Sequence, residues 1–328
     1  MKSRLDKNSV GRIGVLLGGP SSERSISIKS GNAVYGELLS LGYDVIKIDV
    51  KDIPSFTKEI VVSGINVAFI ALHGRFGEDG GVQQLLDEAG ILYIGSGPQA
   101  SRIALDKIAS KEVFIEHNIP TPNYIVLAND QRESFLRGNN LPVFPLPFVV
   151  KPSKEGSSIG MSIVRAYDMI AMALDEAFRY DDKIIVERYI EGDDVTVGIL
   201  DETPLPVVSI KPKEEFYNFE AKYTNGMSEY VVPAHLSERT TKRVQQLALS
   251  AHQALGCDSF SRVDMLISKQ DNSISVLEVN TIPGLTLSSL LPKAAKAAGI
   301  DFGQMCVEMI RLALKKTVIE KNTYLRSK

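Results

Sequence analysis

Apolar and polar positions follow two rhythms along this chain, and the rhythm changes near residue 120. An apolar run at 13–17 ends in Gly18-Gly19-Pro20. Residues 25–41 then place Ala33, Val34, Leu38 and Leu41 at helical spacing. Residues 45–48 and 67–72 read as strands, 80–89 as a helix, and 93–94 as a short strand closed by Gly95-Ser96-Gly97-Pro98. Strand–helix alternation of this kind predicts a parallel sheet covered by helices on both faces. A helix over 106–117 follows and stops at Ile119-Pro120-Thr121-Pro122, a breaker pair.

Beyond that point strands dominate. Residues 124–127, 148–151, 161–164 and 184–188 read as strands, with a helix over 167–178 and a loop over the three prolines of 141–147. After Gly192 come strands at 195–200, 207–211 and 230–232. An amphipathic helix starts at Ser237, with Val244, Leu247, Ala248, Ala251 and Leu255 on one face. Strands over 262–267 and 274–280 are joined by a polar turn, and helices close the chain. No internal repeat or low-complexity segment is visible.

The last strand pair carries the most chemistry. Side chains alternate faces along a strand, so Arg262 and Asp264 share one face and Glu278 and Asn280 share another, with Leu277 and Val279 pointing away. A symmetric hairpin sets Asp264 opposite Glu278 and Arg262 opposite Asn280. Facing carboxylates repel and need compensation. A hard divalent cation such as magnesium takes just such carboxylate and amide oxygens. The alternative is a solvated polar face on which Arg262 neutralises one acid. Thr281-Ile282-Pro283-Gly284 adds a turn whose backbone N–H groups approach the same mouth.

A second candidate is the run from Lys151 to Gly160, KPSKEGSSIG, between two strands. It lacks the Walker A pattern, yet small residues let backbone N–H groups approach phosphate oxygens. A flexible hairpin loop is the plainer reading. Lys151 closes the apolar run 148–150, which directs it into a cleft rather than a core. Lys107 and Lys222 also stand beside motifs.

Composition sets the bounds. The 328 residues are 44% hydrophobic and 23% charged, with a net charge of −3. That suits a globular chain of two or three domains and gives no broad basic surface for nucleic acid. The two cysteines, Cys257 and Cys306, have no CxxC spacing and read as reduced buried thiols. The run at 13–17 is too short for a signal peptide or membrane span, so the expected compartment is the cytoplasm, with no membrane partner.

In order, the segments LLGGPSSERSIS, HGRFGEDGGVQQLL, GSGPQASRIALDK, IPTP, VVKPSKEGSSIGMS, VERYIEGDDVTVGIL, FYNFEAKYTNG, SRVDML and LEVNTIPGLTLSSLLP resemble the D-alanine–D-alanine ligases of the ATP-grasp superfamily. The likeness runs over roughly residues 11–310. It implies an α/β protein, α+β in part: a parallel substrate domain at 1–104, a central ATP-grasp subdomain at 105–188 and a C-terminal catalytic subdomain at 189–328. The last two would clamp ATP, with a mobile loop at about 212–226.

The resemblance also implies an ADP-forming ligase that joins two D-alanines through an acyl phosphate for peptidoglycan synthesis. Its expected needs are ATP and two Mg2+ (or Mn2+) ions, and its relatives are often homodimers. Carried over residue by residue, Asp264, Glu278 and Asn280 correspond to the metal ligands. Lys107 and Lys151 correspond to phosphate-binding lysines, and Lys222 to the one reaching the γ-phosphate. Glu187 and Asp194 correspond to the adenosine contacts, Asp194 standing where a glutamate is commoner. Glu23 and His73 would meet the first D-alanine, Arg262 and the Gly284 N–H the oxyanion, and Ser289 and Leu290 the second carboxylate. Ser157 and Tyr223 would link to Glu23 and latch the loop. Tyr223, where ester-forming relatives have phenylalanine, favours an amine acceptor; Ser288 replaces a common histidine. Rival readings are a D-serine or D-lactate ligase, another ATP-grasp enzyme of carboxylase type, and an inactive ATP-binding protein.

Overall fold

The computed structural model describes residues 5–138, 144–212 and 228–326. After a short helix α1 (Lys7–Val10), the chain lays down β1 (Ile13–Gly18), α2 (Arg24–Ser40), β2 (Val45–Val50), α3 (Ile53–Val62), β3 (Val67–Ile70), α4 (Gly81–Glu88) and β4 (Leu92–Tyr93). The four strands form a parallel sheet in the order β2-β1-β3-β4. Every residue of β1 is buried, as expected of a strand covered on both faces. Helix α3 was not legible from the pattern above. Asp52 caps it by accepting from the Ser55 N–H at 2.8 Å, and Phe56 and Ile60 bury its inner face.

Two helices then connect the sheets: α5 (Pro98–Leu105) and α6 (Lys107–Glu116). Pro98 opens α5 right after Gly97, so the glycine-rich segment starts a helix as well as ending a strand. Asp106 caps α6, accepting from the Ile108 N–H at 3.0 Å. Next come β5 (Tyr124–Ala128), α7 (Arg132–Leu136), β6 (Phe148–Pro152), β7 (Ser162–Val164), α8 (Ile170–Phe178) and β8 (Lys183–Arg188). They build an antiparallel sheet, order β5-β8-β6-β7, with α8 and Phe135 on its inner face.

The third sheet comprises β9 (Gly192–Leu200), β10 (Thr203–Pro204), β11 (Val208–Pro212), β12 (Ser228–Val231), β13 (Phe260–Ser268) and β14 (Ile274–Asn280). Its order is β12-β11-β9-β13-β14, all antiparallel, with β10 on β9. The amphipathic helix α9 (Glu238–Ala254), capped by Ser237, packs Val244, Ala248 and Ala251 on this sheet, and Phe114 of α6 joins the same core. Helices α10 (Leu290–Ala297) and α11 (Phe302–Arg326) complete the chain.

The third sheet is also tied to the first. Ile282 is buried in one core of the parallel sheet and Leu285 in the other. These two anchors hold the segment between them, including Gly284, at the junction. The cysteines are free and buried; burial pushes the Cys257 thiol up to about 12 and raises that of Cys306 as well.

Candidate active site

The β13–β14 pair has the register that alternation predicts: Arg262 opposite Asn280 and Asp264 opposite Glu278. A bulge follows at once, because Met265 pairs with Val276 and leaves Leu277 unmatched. One extra residue turns Leu277 to the side of Glu278, and both line one pocket, so the expectation that Leu277 points away is corrected. Both acids have cationic company. The Arg262 guanidinium donates to Asp264 Oδ1 at 2.9 Å and Oδ2 at 2.7 Å, and Thr196 Oγ1 donates to Oδ1 at 2.6 Å. Lys107 Nζ lies 3.7 Å from Glu278 and donates to the Glu155 carbonyl at 2.6 Å. Asn280 Oδ1 accepts from the Ile282 N–H at 2.9 Å, which fixes the turn into the following segment.

A second charged group lies between the central and third sheets. Glu187 of β8 is 3% exposed and meets two lysines, Lys151 Nζ at 2.9 Å from Oε1 and Lys111 Nζ at 2.6 Å from Oε2. The Lys111 contact lacks hydrogen-bond direction and is an ion pair only. Burial opposes ionisation of Glu187, but the two lysines outweigh it and hold its carboxyl below the usual range. Lys111 is wholly buried, and desolvation lowers its ammonium to about 8. Lys151, Glu187 and Asp194 line a cavity of about 180 Å³ with apolar Ile159, Met161 and Leu277.

A larger cleft of about 820 Å³ opens beside it, and Lys107, Glu155 and Glu278 line both. Glu23, at the start of α2, is 5% exposed and accepts a hydrogen bond from Ser157 Oγ. Ser157 holds a left-handed backbone, φ 52°, that serine seldom adopts, as does Ser158 at 61°. The loop thus carries local strain where it touches Glu23. Gly74 also has a left-handed backbone, and a Cβ there would sit 2.9 Å from Glu23 Oε2, so the chain passes close to that carboxylate.

His73 is 4% exposed, with Nε2 2.9 Å from Ser30 Oγ and Nδ1 3.5 Å from Glu78. Burial, aided by the charge of Glu23, raises the Glu78 carboxyl. Arg262, Asn280, Gly284, Ser289 and Leu290 line the same cleft. A Cβ on Gly284 would stand 2.8 Å from Ser289 Oγ, which in turn accepts from the Thr286 N–H at 3.1 Å.

The fold therefore gathers Glu23, His73, Lys107, Ser157, Arg262, Glu278, Asn280, Gly284, Ser289 and Leu290 around one cleft, and Lys151, Glu187, Asp194 and Asp264 around the adjoining cavity. Lys222, Tyr223 and the loop expected at 212–226 fall outside the described residues but for Pro212. Glu78 and Lys111 were not singled out in the sequence. Lys111 had a signal: with Lys107, Ser110 and Phe114 it completes the buried face of α6, where a charge has no solvent.

A parallel α/β sheet followed by two antiparallel sheets, meeting at a cleft rich in lysine and carboxylate, defines an ATP-grasp enzyme. Models of the D-ala D-ala ligase N-terminus and C-terminus match residues 50–96 and 113–311. The D-alanine–D-alanine ligase of Trichlorobacter lovleyi is 47% identical over 93% of this chain and 96% of its own length. The enzyme of Halalkalibacterium halodurans is 43% identical over 93% of this chain and all of its own. Among solved structures, the Bacillus anthracis D-alanine–D-alanine ligase complexed with ATP aligns with a TM-score of 0.79 at 33% identity, covering 94% of this chain and 99% of its own. The VanG D-Ala:D-Ser ligase of Enterococcus faecalis aligns at 0.79 and 27% identity, covering 92% and 99%. The chain belongs to the D-alanine–D-alanine ligase family.

Proposed function

We infer that this chain is an ADP-forming ligase that joins two D-alanine molecules into D-alanyl-D-alanine, the dipeptide of peptidoglycan precursors, with ATP as co-substrate. The observation that carries the reading is the continuity of two pockets. One is a lysine-lined cavity between antiparallel sheets, suited to a nucleotide. The other is a cleft with a buried glutamate, an arginine and a turn glycine, suited to amino acids. Lys107, Glu155 and Glu278 stand where they join.

A carboxylate resists attack by an amine because its charge repels the nucleophile and oxide is a poor leaving group. Phosphorylation removes both obstacles. Glu23 binds the ammonium of the first D-alanine, with His73 beside it. That substrate's carboxylate oxygen attacks the γ-phosphorus, the bond to the β-phosphate oxygen breaks, and ADP and an acyl phosphate result. Lys107 and Lys151 neutralise phosphate charge, Lys222 reaches the γ-phosphate, and Glu187 and Asp194 hold the adenosine. The neutral amine of the second D-alanine, its carboxylate held at Ser289 and Leu290, attacks the acyl carbon. Arg262 and the Gly284 N–H stabilise the oxyanion; one such donor is worth about 3–4 kcal/mol. Inorganic phosphate leaves and the amine sheds its proton. The acyl phosphate must be kept from water, and the Ser157–Glu23 hydrogen bond holds the 151–160 loop against the cleft.

The oxygen-only set of Asp264, Glu278 and Asn280 fits magnesium or manganese, since two acids and an amide on adjoining strands match hard-cation chemistry. Arg262 donates to both Asp264 oxygens, and among the described residues Oδ2 accepts from Arg262 alone, which leaves it a lone pair for a metal. Two such ions, when bound with ATP, would supply charge neutralisation on its phosphates. We assign domains at 1–104, 105–188 and 189–328, supported by the three sheets. Homodimeric assembly and a cytoplasmic site of action complete the reading. Among the described residues no helix is long and apolar enough to cross a membrane.

The test mixes purified protein with ATP, magnesium and D-alanine and measures phosphate release and product mass. Dipeptide formed in step with phosphate is the expected result. ATP binding without turnover on any amino acid would favour an inactive nucleotide-binding protein. Preferred use of D-serine or D-lactate in competition would assign another acceptor, a reading to which the VanG likeness lends weight.

A further inference from the structure

We propose that Lys293 is a specificity residue of the cleft, reading the negative charge of the acceptor's carboxylate. This rests on the reading above that the second substrate's carboxylate lies at Ser289 and Leu290. Lys293 belongs to the second turn of α10 and lines the same cleft as Ser289 and Gly284. It follows Ser289 by four residues, so the two share a helix face. Helical side chains lean toward the N-terminus, the end of α10 at which Ser289 stands.

The surroundings of Lys293 are those of a cation awaiting an anion. Its ammonium stands 4.1 Å from the centroid of the Tyr230 ring, and the side chain is half-buried. Among the described residues no carboxylate lies within ion-pair distance of it. Burial without a compensating acid lowers its pKa. The Ser289 side chain makes no cap to the helix, its hydroxyl accepting from Thr286 instead. A carboxylate between Nζ and the first N–H groups of α10 supplies the missing acid. Acceptors with a free α-carboxylate are therefore the class this wall selects, whatever group they carry at the attacking end.

The test sets D-alanine against D-alaninamide, which has the same amine and methyl but no carboxylate. Both are offered as acceptors with D-alanine as donor, and the two products are weighed by mass spectrometry. The wild type should favour the free acid. Lys293→Gln should lower the product ratio by about tenfold, the scale of one hydrogen bond to a charged group, and Lys293→Arg should keep it. The KM for ATP should not move. A product ratio does not depend on the folded fraction, so partial misfolding leaves it readable, and Lys293→Met repeats the charge removal independently. An active wild type whose ratio survives both charge-free variants overturns the role of Lys293 alone. A wild type that makes no dipeptide overturns the ligase reading and this inference with it.

Discussion

Arg262 and Asp264 stand two residues apart on one face of β13, and the guanidinium grips both carboxylate oxygens, at 2.9 and 2.7 Å. This bidentate pair orients the guanidinium plane beside the cleft and couples two functions in one contact. Removing the arginine should then cost catalysis more than binding. Arg262→Ala is expected to lower kcat by about 10²–10³-fold, as loss of an oxyanion donor does. ATP affinity, read by calorimetry, should change little. Arg262→Lys should not restore the rate, because a point charge cannot reproduce the fork. Equal losses in turnover and ATP binding would contradict the role.

Glu278 stands at the junction of the two pockets with Lys107 3.7 Å away. Glu278→Gln removes one hard oxygen charge from the proposed metal set. The magnesium concentration for half-maximal turnover should rise at least about tenfold. Chelation should abolish turnover, and magnesium should restore it. An unchanged magnesium requirement would remove Glu278 from the set.

Lys111 is the innermost partner of Glu187, and Lys151 is the one that lines the cavity. A counter-ion held at Lys111 leaves Lys151 able to turn to phosphate. Lys111→Met should tie Lys151 to Glu187 and raise the KM for ATP by about tenfold, with a smaller change in kcat, as breaking a buried pair costs several kcal/mol.

Its titration gives a second check. The folded chain releases the Lys111 proton near pH 8, whereas the unfolded chain holds it to 10.5. Between those values the unfolded state binds more protons, so this group's contribution to stability grows as pH rises and is lost as pH falls through 8. Thermal melts of wild type and Lys111→Met from pH 8 to 10 should diverge, the wild type gaining. A constant or shrinking gap would contradict the assignment.

Gly284 owes its identity to Ser289. A Cβ at 284 would meet Ser289 Oγ at 2.8 Å and push it off the Thr286 N–H. Gly284→Ala should cut kcat by about tenfold or more through displacement of the backbone donor. Adding Ser289→Ala removes the clash, so the double variant should lose less than the sum of the two singles. Simple additivity would show that the two residues do not act through this contact.

Much of this site was legible because strands have a period of two. That period alone set Asp264 opposite Glu278 and Arg262 opposite Asn280. It failed one residue later, since the bulge at Leu277 is a local backbone event with no glycine or proline to mark it. Helix α3 escaped because its β-branched residues and Pro54 weaken the helical signal, although Asp52 and Ser55 spell a cap. The Glu187–Lys111 pair joins strands and a helix 76 positions apart in sequence, a distance over which periodicity says nothing. Ordered motifs supplied what periodicity could not, placing Glu23 and Ser157 in one site although 134 residues separate them.

The most direct test of the account follows an oxygen atom. D-Alanine labelled with oxygen-18 in its carboxylate is turned over with ATP, and the released phosphate is analysed by mass spectrometry. An acyl phosphate requires the substrate's carboxylate oxygen to leave with phosphorus, so each phosphate should carry one heavy oxygen and each new peptide bond should retain the other. Dipeptide formed alongside unlabelled phosphate would contradict the mechanism at its centre.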